Sequence, residues 1–220
     1  MKTLIIIPAK NEGSKIHGIV AEIVNLNYQV LVVDDGSSDN TADLAHQAGA
    51  KILIHKINRG QGAALKTGLE YALLNNYEAA VFFDADGQML AGEIKDLIEP
   101  LLLGKYEVVL GSRFLGQARN APILKLITLK LGLIFTKFAT GLKLTDVHNG
   151  FQAWSAAALK KINLTQDRQA YASELLQEIA DKKLKYTEVP VTILYTAYSK
   201  QKGQSILNAF KILWDLIIKR

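Results

Sequence analysis

Ala79-Ala80-Val81-Phe82-Phe83-Asp84-Ala85-Asp86-Gly87-Gln88 places two carboxylates, one residue apart, directly after an apolar run. A short apolar run bounded by polar and turn residues reads as a strand buried on both faces, the kind found in parallel sheets. The C-terminal edge of such a sheet is where ligands bind in open α/β folds. Asp84 and Asp86, delivered to that edge, are oxygen donors suited to holding Mg²⁺ or Mn²⁺ against a substrate diphosphate. The motif is short enough to arise by chance or to serve only as a turn cap, so its neighbours decide its meaning.

Outward from this strand the pattern alternates. Strands are expected at Leu4 to Ile7, Val30 to Val33 and Lys51 to His55, separated by helices over Ser14 to Leu26, Asn40 to Ala48 and Gly62 to Leu74. A helix over Glu93 to Leu103 and a strand over Glu107 to Leu110 follow. This alternation implies βαβ units and a mostly parallel central sheet flanked by helices. It breaks after Gly111-Ser112-Arg113-Phe114. No repeat or low-complexity linker divides the chain, and 220 residues at 49% hydrophobic are enough for one well-buried core. A single domain over 1–220 is expected, with the break dividing a first part (1–118) from a second (119–204), and a C-terminal amphipathic helix (205–220).

Composition narrows the chemistry. Cysteine is absent, which excludes disulfides and thiolate metal sites, and His17, His46, His55 and His148 have no zinc spacing. Any metal should be oxygen-bound. A formal charge of +5 favours anionic partners such as nucleotides, phosphorylated lipids or an acidic membrane surface. The apolar Leu4-Ile5-Ile6-Ile7 is too short for a signal peptide, so a cytoplasmic protein is expected.

Each strand end in the first half carries a turn suited to a nucleotide. Pro8-Ala9-Lys10-Asn11-Glu12 follows the first strand and Asp34-Asp35-Gly36-Ser37-Ser38-Asp39 the second. Asp34 and Asp35 can accept from a base or from ribose hydroxyls; the same stretch also reads as a helix start, with Ser38 or Asp39 as N-cap. Asn58-Arg59-Gly60-Gln61-Gly62 sets a guanidinium beside glycines at a helix N-terminus, which suits a diphosphate.

In this order these blocks resemble the family 2 glycosyltransferases of the GT-A fold, and among them the polyprenyl-phosphate sugar synthases of the dolichyl-phosphate mannose synthase type. The matching stretches are Ile7 to Glu12, Val32 to Thr41, Asn58 to Ala63, Asp84 to Gln88, Gly111 to Phe114 and Thr145 to Ala153, with coverage from residue 4 to about 204. The resemblance implies a metal-dependent, inverting transfer of a hexose from a UDP- or GDP-sugar to a polyprenyl phosphate. It implies a donor nucleotide held by Pro8, Ala9, Asn11, Glu12, Asp34, Asp35, Gly36, Arg59, Gly62, Asp84, Ala85 and Asp86. Asp84, Asp86 and Gln88 would surround the Mg²⁺ or Mn²⁺, and Asp86, Arg113 and Asp146 would be catalytic. No nucleic-acid partner is expected.

Two acceptor chemistries are open. A sugar hydroxyl needs a carboxylate base, whereas a lipid phosphate arrives ionised and needs cations to position it. Asp146 is the candidate base, and a role in orienting the acceptor or a nearby cation fits it equally. Ile123 to Phe138 is apolar but studded with lysines, which suits a helix lying in a membrane interface as well as a core helix with solvated lysines. By resemblance, Arg113, Lys125 and Lys130 would hold the acceptor phosphate. Tyr195 to Gln204, after an expected strand over Glu188 to Leu194, resembles a loop that closes over donor phosphates through Lys200 and Lys202. Ser205 to Lys219 reads as an amphipathic helix too short to span a bilayer. Peripheral attachment at the inner membrane face is therefore expected, directly or through a small anchoring protein. Transfer to a polysaccharide hydroxyl, or a binding scaffold without activity, are the competing readings.

Overall fold

The computed structural model describes residues 1–198. Lys200, Lys202 and the expected helix from Ser205 lie outside the described residues. Seven strands form one sheet: β1 (Thr3–Ala9), β2 (Gln29–Asp34), β3 (Lys51–Ile54), β4 (Ala79–Phe82), β5 (Val108–Arg119), β6 (Gln152–Ser155) and β7 (Tyr186–Leu194), in the order β3-β2-β1-β4-β6-β5-β7. The helices are α1 (Ile16–Asn25), α2 (Thr41–Gln47), α3 (Gln61–Leu74), α4 (Ile94–Leu102), α5 (Ile123–Thr140), α6 (Ala156–Leu159) and α7 (Tyr171–Asp181).

The expected alternation is present through β5, and the strands sort their side chains by a period of two. Ile5 and Ile7 of β1, Val30 and Val32 of β2, and Val81 of β4 enter one core with Val20 and Ile23 of α1 and Leu97 and Leu101 of α4. Leu4, Ile6, Leu31, Val33, Ala80 and Phe82 enter the other, against Leu65 and Leu69 of α3 and Leu175, Leu176 and Ile179 of α7. Two faces covered by helices explain why the strands read as continuous apolar runs. Helix α3 approaches β1 closely: a Cβ on Gly68 would lie 2.4 Å from Ile6 Cγ2.

The break in alternation after residue 114 has a structural cause. Strand β5 runs on to Arg119, with a register shift between Ser112 and Gln117 where it pairs with β7. Strand β6 is antiparallel to both neighbours, pairing Phe82 with Gln152 on β4 and Leu110 with Gln152 on β5. Because β6 runs backwards, its beginning lies at the edge where β4 and β5 end. The loop 141–151, which enters β6, therefore reaches the same edge as Asp84 and Asp86.

Candidate active site

On the donor side, the loops after β1 and β2 are sewn together. Asn11 adopts a left-handed φ of 53° and its side-chain oxygen accepts from Ser38 N–H at 2.8 Å, while its own N–H donates to Ser37 Oγ at 2.9 Å. Asn tolerates that backbone because its short amide bonds locally. Asp39 accepts from the N–H groups of Gly13 and of Thr41, the residue that opens α2, but the N-cap is Asn40 rather than the expected Ser38 or Asp39. Asp34 accepts from Ser37 N–H at 2.7 Å, and its second oxygen has no partner and stays reachable by solvent. Asp35 is different: its oxygens accept from Arg59 N–H (2.9 Å), Gly60 N–H (2.7 Å) and His55 Nδ1 (2.9 Å), and His55 Nε2 meets Thr67 Oγ1 at 2.9 Å. Burial pulls the Asp35 carboxyl upward, but these donors outweigh it and leave the group below the usual carboxylate range. Asp35 thus braces the loop before α3.

The start of α3 is covered by the chain itself. Ala63 N–H donates to the Asp167 carbonyl at 2.9 Å, and a Cβ on Gly62 would lie 2.1 Å from the Gln166 carbonyl oxygen. The Arg59 guanidinium lies 3.8 Å from the Asp167 carboxylate. At the helix start where the sequence expects a diphosphate, on Gly62 and Arg59, an internal carbonyl accepts from one N–H, that of Ala63.

At the end of β4, Asp84 accepts from Gln61 Nε2 at 3.0 Å and lies against Gly150, where a Cβ would stand 2.6 Å from Oδ2. Burial first, and the negative charge of Asp86 second, push Asp84 up to about 7, against the pull of Gln61 and Arg113. Asp86 accepts from Gln88 N–H at 3.0 Å, so Gln88 touches the pair through its backbone. Glu12, whose carboxylate accepts from Tyr198 Oη at 2.7 Å, adds negative charge near Asp84. Two crowded carboxylates of this kind are chemically matched to a divalent cation. Among the described residues no group of three or more His, Cys, Asp or Glu is arranged to hold a metal. The donor set therefore fits an ion completed by substrate oxygens and water, as Mg²⁺ sites commonly are.

On the other side of the edge lies a buried ion pair. The side chains of Arg113 and Asp146 are 6% and 1% exposed, with Nε donating to Oδ2 at 2.7 Å. Asp146 also accepts from the N–H groups of Arg113 (2.9 Å) and Val147 (2.8 Å) and from Asn149 Nδ2 (3.3 Å). Arg113 Nη1 donates to Tyr195 Oη at 2.6 Å. Burial works against the Arg113 charge, and Asp146 and Tyr195 more than restore it. Glu188 of β7 fixes the loop from behind by accepting from Thr145 N–H (2.7 Å) and Asp146 N–H (3.0 Å). Lys125 on α5 is part-buried, and burial and then Arg113 hold its ammonium below the usual lysine range. His148 stands between these cations at a left-handed φ of 54°, with Nε2 3.2 Å from Ser173 Oγ. Burial, Lys125 and Arg113 depress it, against Asp146.

Residues 4–162 match the model of the family described as "Glycosyl transferase family 2". The chain belongs to that family. This glycosyltransferase is 34% identical to the UDP-N-acetylglucosamine–dolichyl-phosphate N-acetylglucosaminyltransferase of Methanococcus voltae, over 97% of this chain and 94% of that one. It is 31% identical to the polyprenol monophosphomannose synthase of Mycolicibacterium smegmatis, over 96% and 85%. Among solved structures it resembles glucosyl-3-phosphoglycerate synthase from Mycobacterium tuberculosis in complex with Mn²⁺ and UDP-glucose, with a TM-score of 0.72 at 19% identity, covering 98% of this chain and 76% of that one. That likeness is one of fold.

The glycosyltransferase brings Pro8, Ala9, Asn11, Glu12, Asp34, Gly36, Asp84, Ala85, Asp86, Arg113, Lys125 and Asp146 to one sheet edge. Lys130 stands apart from them. Five residues on from Lys125, it is rotated about 140° around α5 and is exposed. Its side of the helix carries instead an apolar stripe of Leu124, Ile127, Leu131, Ile134 and Phe138, the last 93% exposed. Among the described residues no helix is long and apolar enough to cross a membrane. The sequence reading missed Glu188, which nothing local marks.

Proposed function

We propose that the protein moves a hexose from a UDP- or GDP-sugar to a polyprenyl phosphate at a membrane surface, in one metal-dependent displacement that inverts the anomeric carbon. The observation that carries this reading is the commitment of Asp146. A hydroxyl acceptor needs a free base. Asp146 is closed off from solvent and accepts from the Arg113 guanidinium, two backbone N–H groups and the Asn149 amide. An ionised phosphate needs positioned positive charge instead, and Arg113 and Lys125 supply it.

In this reading Asp146 and Tyr195 hold the Arg113 guanidinium rigid, so no reorganisation is required as charge moves onto the phosphoryl oxygens. Lys125, its charge disfavoured by burial and by Arg113, gains from an arriving phosphate. Asp34 offers its open oxygen to the nucleoside. Asp84 and Asp86, with Gln88 beside them, hold the divalent cation, which stabilises the leaving diphosphate. The acceptor cations come from β5 and α5 and the carboxylate pair from β4, a placement that suits in-line attack opposite the leaving group. The apolar stripe of α5, with Lys130 and Lys137 at its flank, suits a membrane interface in which lysines reach lipid phosphates. This contact lies within the chain, so a separate anchoring protein has no support. The enzyme would then act peripherally on the inner face, where nucleotide-activated sugars are available.

The test is transfer of label from a panel of nucleotide sugars, with Mn²⁺ or Mg²⁺, into a chloroform-extractable polyprenyl-phosphate product. Label in the lipid phase that disappears with chelator is expected. Label appearing only in polymeric or water-soluble hydroxyl products would replace this reading with polysaccharide synthesis, and donor binding without any transfer would replace it with a scaffold.

A further inference from the structure

Gly60-Gln61-Gly62 enters α3 with one side chain between two glycines, and the packing gives the reason. A Cβ on Gly60 would stand 2.4 Å from the Asp167 carbonyl oxygen, and one on Gly62 2.1 Å from that of Gln166. Gly60 also holds φ at 112°, a backbone that glycine adopts without strain. The turn 166–168 thus leaves room for a side chain only at Gln61. On the near side of the same loop, Asp35 accepts from the N–H groups of Arg59 and Gly60 and is itself held by His55. The backbone that carries Gln61 is therefore fixed by partners from β2, β3 and the segment before α7.

The Gln61 amide reaches one partner with this support. Nε2 donates to Asp84 Oδ1 at 3.0 Å, and among the described residues no other side chain hydrogen-bonds to that carboxylate. The second oxygen is bounded by bare backbone: a Cβ on Gly150 would lie 2.6 Å from Oδ2 and 3.1 Å from Oδ1. The Asp84 N–H donates to Met89 Sδ at 3.3 Å. Asp84 is thus held at its backbone, by an amide at one oxygen and by a close backbone approach at the other. A helix cap does not account for Gln61, because a cap accepts from N–H groups and Nε2 is a donor. Packing alone would not call for an amide.

We propose that Gln61 is a positioning residue for the divalent cation, its amide setting the Asp84 carboxylate in the orientation that receives the ion. The proposal rests on the metal-dependent reading above and adds to it that the start of α3 sets metal affinity through Asp84. Partners that orient a ligating carboxylate commonly contribute about 10- to 100-fold to metal binding.

Gln61→Met keeps the length and helix tendency of the side chain and removes the donor. Gln61→Asn keeps an amide but draws it back by one methylene. For wild type and both variants, the Kd of Mn²⁺ is read from the EPR signal of the free ion with UDP or GDP present. The Kd of each nucleotide in chelator and the Tm of the metal-free protein are measured beside it. Both variants should bind Mn²⁺ roughly 10- to 100-fold more weakly, with metal-free nucleotide affinity near wild type. Turnover should return as Mn²⁺ is raised, since the groups that contact the ion are intact. An unchanged Mn²⁺ Kd in Gln61→Met overturns the proposal. So does a loss of metal-free nucleotide affinity that matches the loss for Mn²⁺, because Gln61 would then touch the diphosphate itself. A wild type that takes up no Mn²⁺ with either nucleotide defeats the metal reading, and this inference falls with it.

Discussion

Replacing Asp84 by Asn should stabilise the metal-free protein while removing metal-dependent turnover. In the folded state the group rises from 3.8 to about 7, driven by burial and by Asp86. A raised folded value means that between about pH 4 and pH 7 the native state holds a proton that the unfolded chain has released, so stability falls as pH rises through that window. The penalty is complete above the folded value and absent below the unfolded one. About 3 units at about 1.4 kcal/mol each set a ceiling of about 4 kcal/mol. Asp84 is only part-buried and sits close to the Asp86 charge, so about 1–3 kcal/mol is expected, or roughly 2–10 °C in Tm for a chain of this size. Asn keeps an oxygen for Gln61 and carries no charge. Thermal unfolding of both proteins in chelator at pH 5 and pH 8 measures the effect. The variant should exceed wild type clearly at pH 8 and much less at pH 5, and Mn²⁺ should then raise the Tm of wild type but not of Asp84→Asn. Equal Tm values at pH 8, or a gap independent of pH, would refute the picture of a carboxylate pair held apart from its counter-ion.

Three further outcomes follow from the acceptor side. Lys125→Ala should raise KM for the lipid phosphate roughly tenfold with kcat little changed, while Lys130→Ala stays near wild type; equal effects would reject the orientation given for α5. Asp146→Asn keeps the loop's shape but loosens Arg113. We expect turnover to fall by roughly 10–100-fold, with a loss of Tm from a broken buried pair, and an intact Tm with abolished activity would favour a general base instead. Leu131→Glu combined with Phe138→Glu should reduce sedimentation with anionic liposomes without lowering Tm, since both side chains are exposed; undiminished sedimentation would move the membrane contact elsewhere.

How legible the fold was in the sequence depended on distance along the chain. From β1 to β4 each strand is an apolar run ending in a polar turn, and each helix follows within a few residues, so the donor edge could be assembled by reading forwards. Strand β6 defeated that reading because it is four residues long, contains Gln152 and Ser155, and is inserted against the run of the sheet. The pairing of Arg113 with Asp146 spans 33 residues, and that of Arg113 with Tyr195 spans 82. No periodicity encodes either. Simple helical rotation, legible in the sequence, already turns Lys130 away from Lys125. Asp35 reads in the sequence as a partner for a base or ribose, and the structure gives it partners that no local pattern announces, the N–H groups of Arg59 and Gly60 in the loop before α3.

The backward strand also guards the geometry of the sheet edge that carries Asp84 and Asp86 against misfolding. Phe82 pairs with Gln152, which sets Gly150 against Asp84, and two residues further on Trp154 pairs with both Ala80 and Val108. Trp154 is fully buried and stacks on Phe82 with ring centroids 6.2 Å apart. A slip of β6 by one residue would turn that indole to the opposite face of the sheet. The largest side chain of the described core thus acts as a register pin: the chain cannot reach its low-energy packing with the loop 141–151 one residue out of step with Asp84 and Asp86.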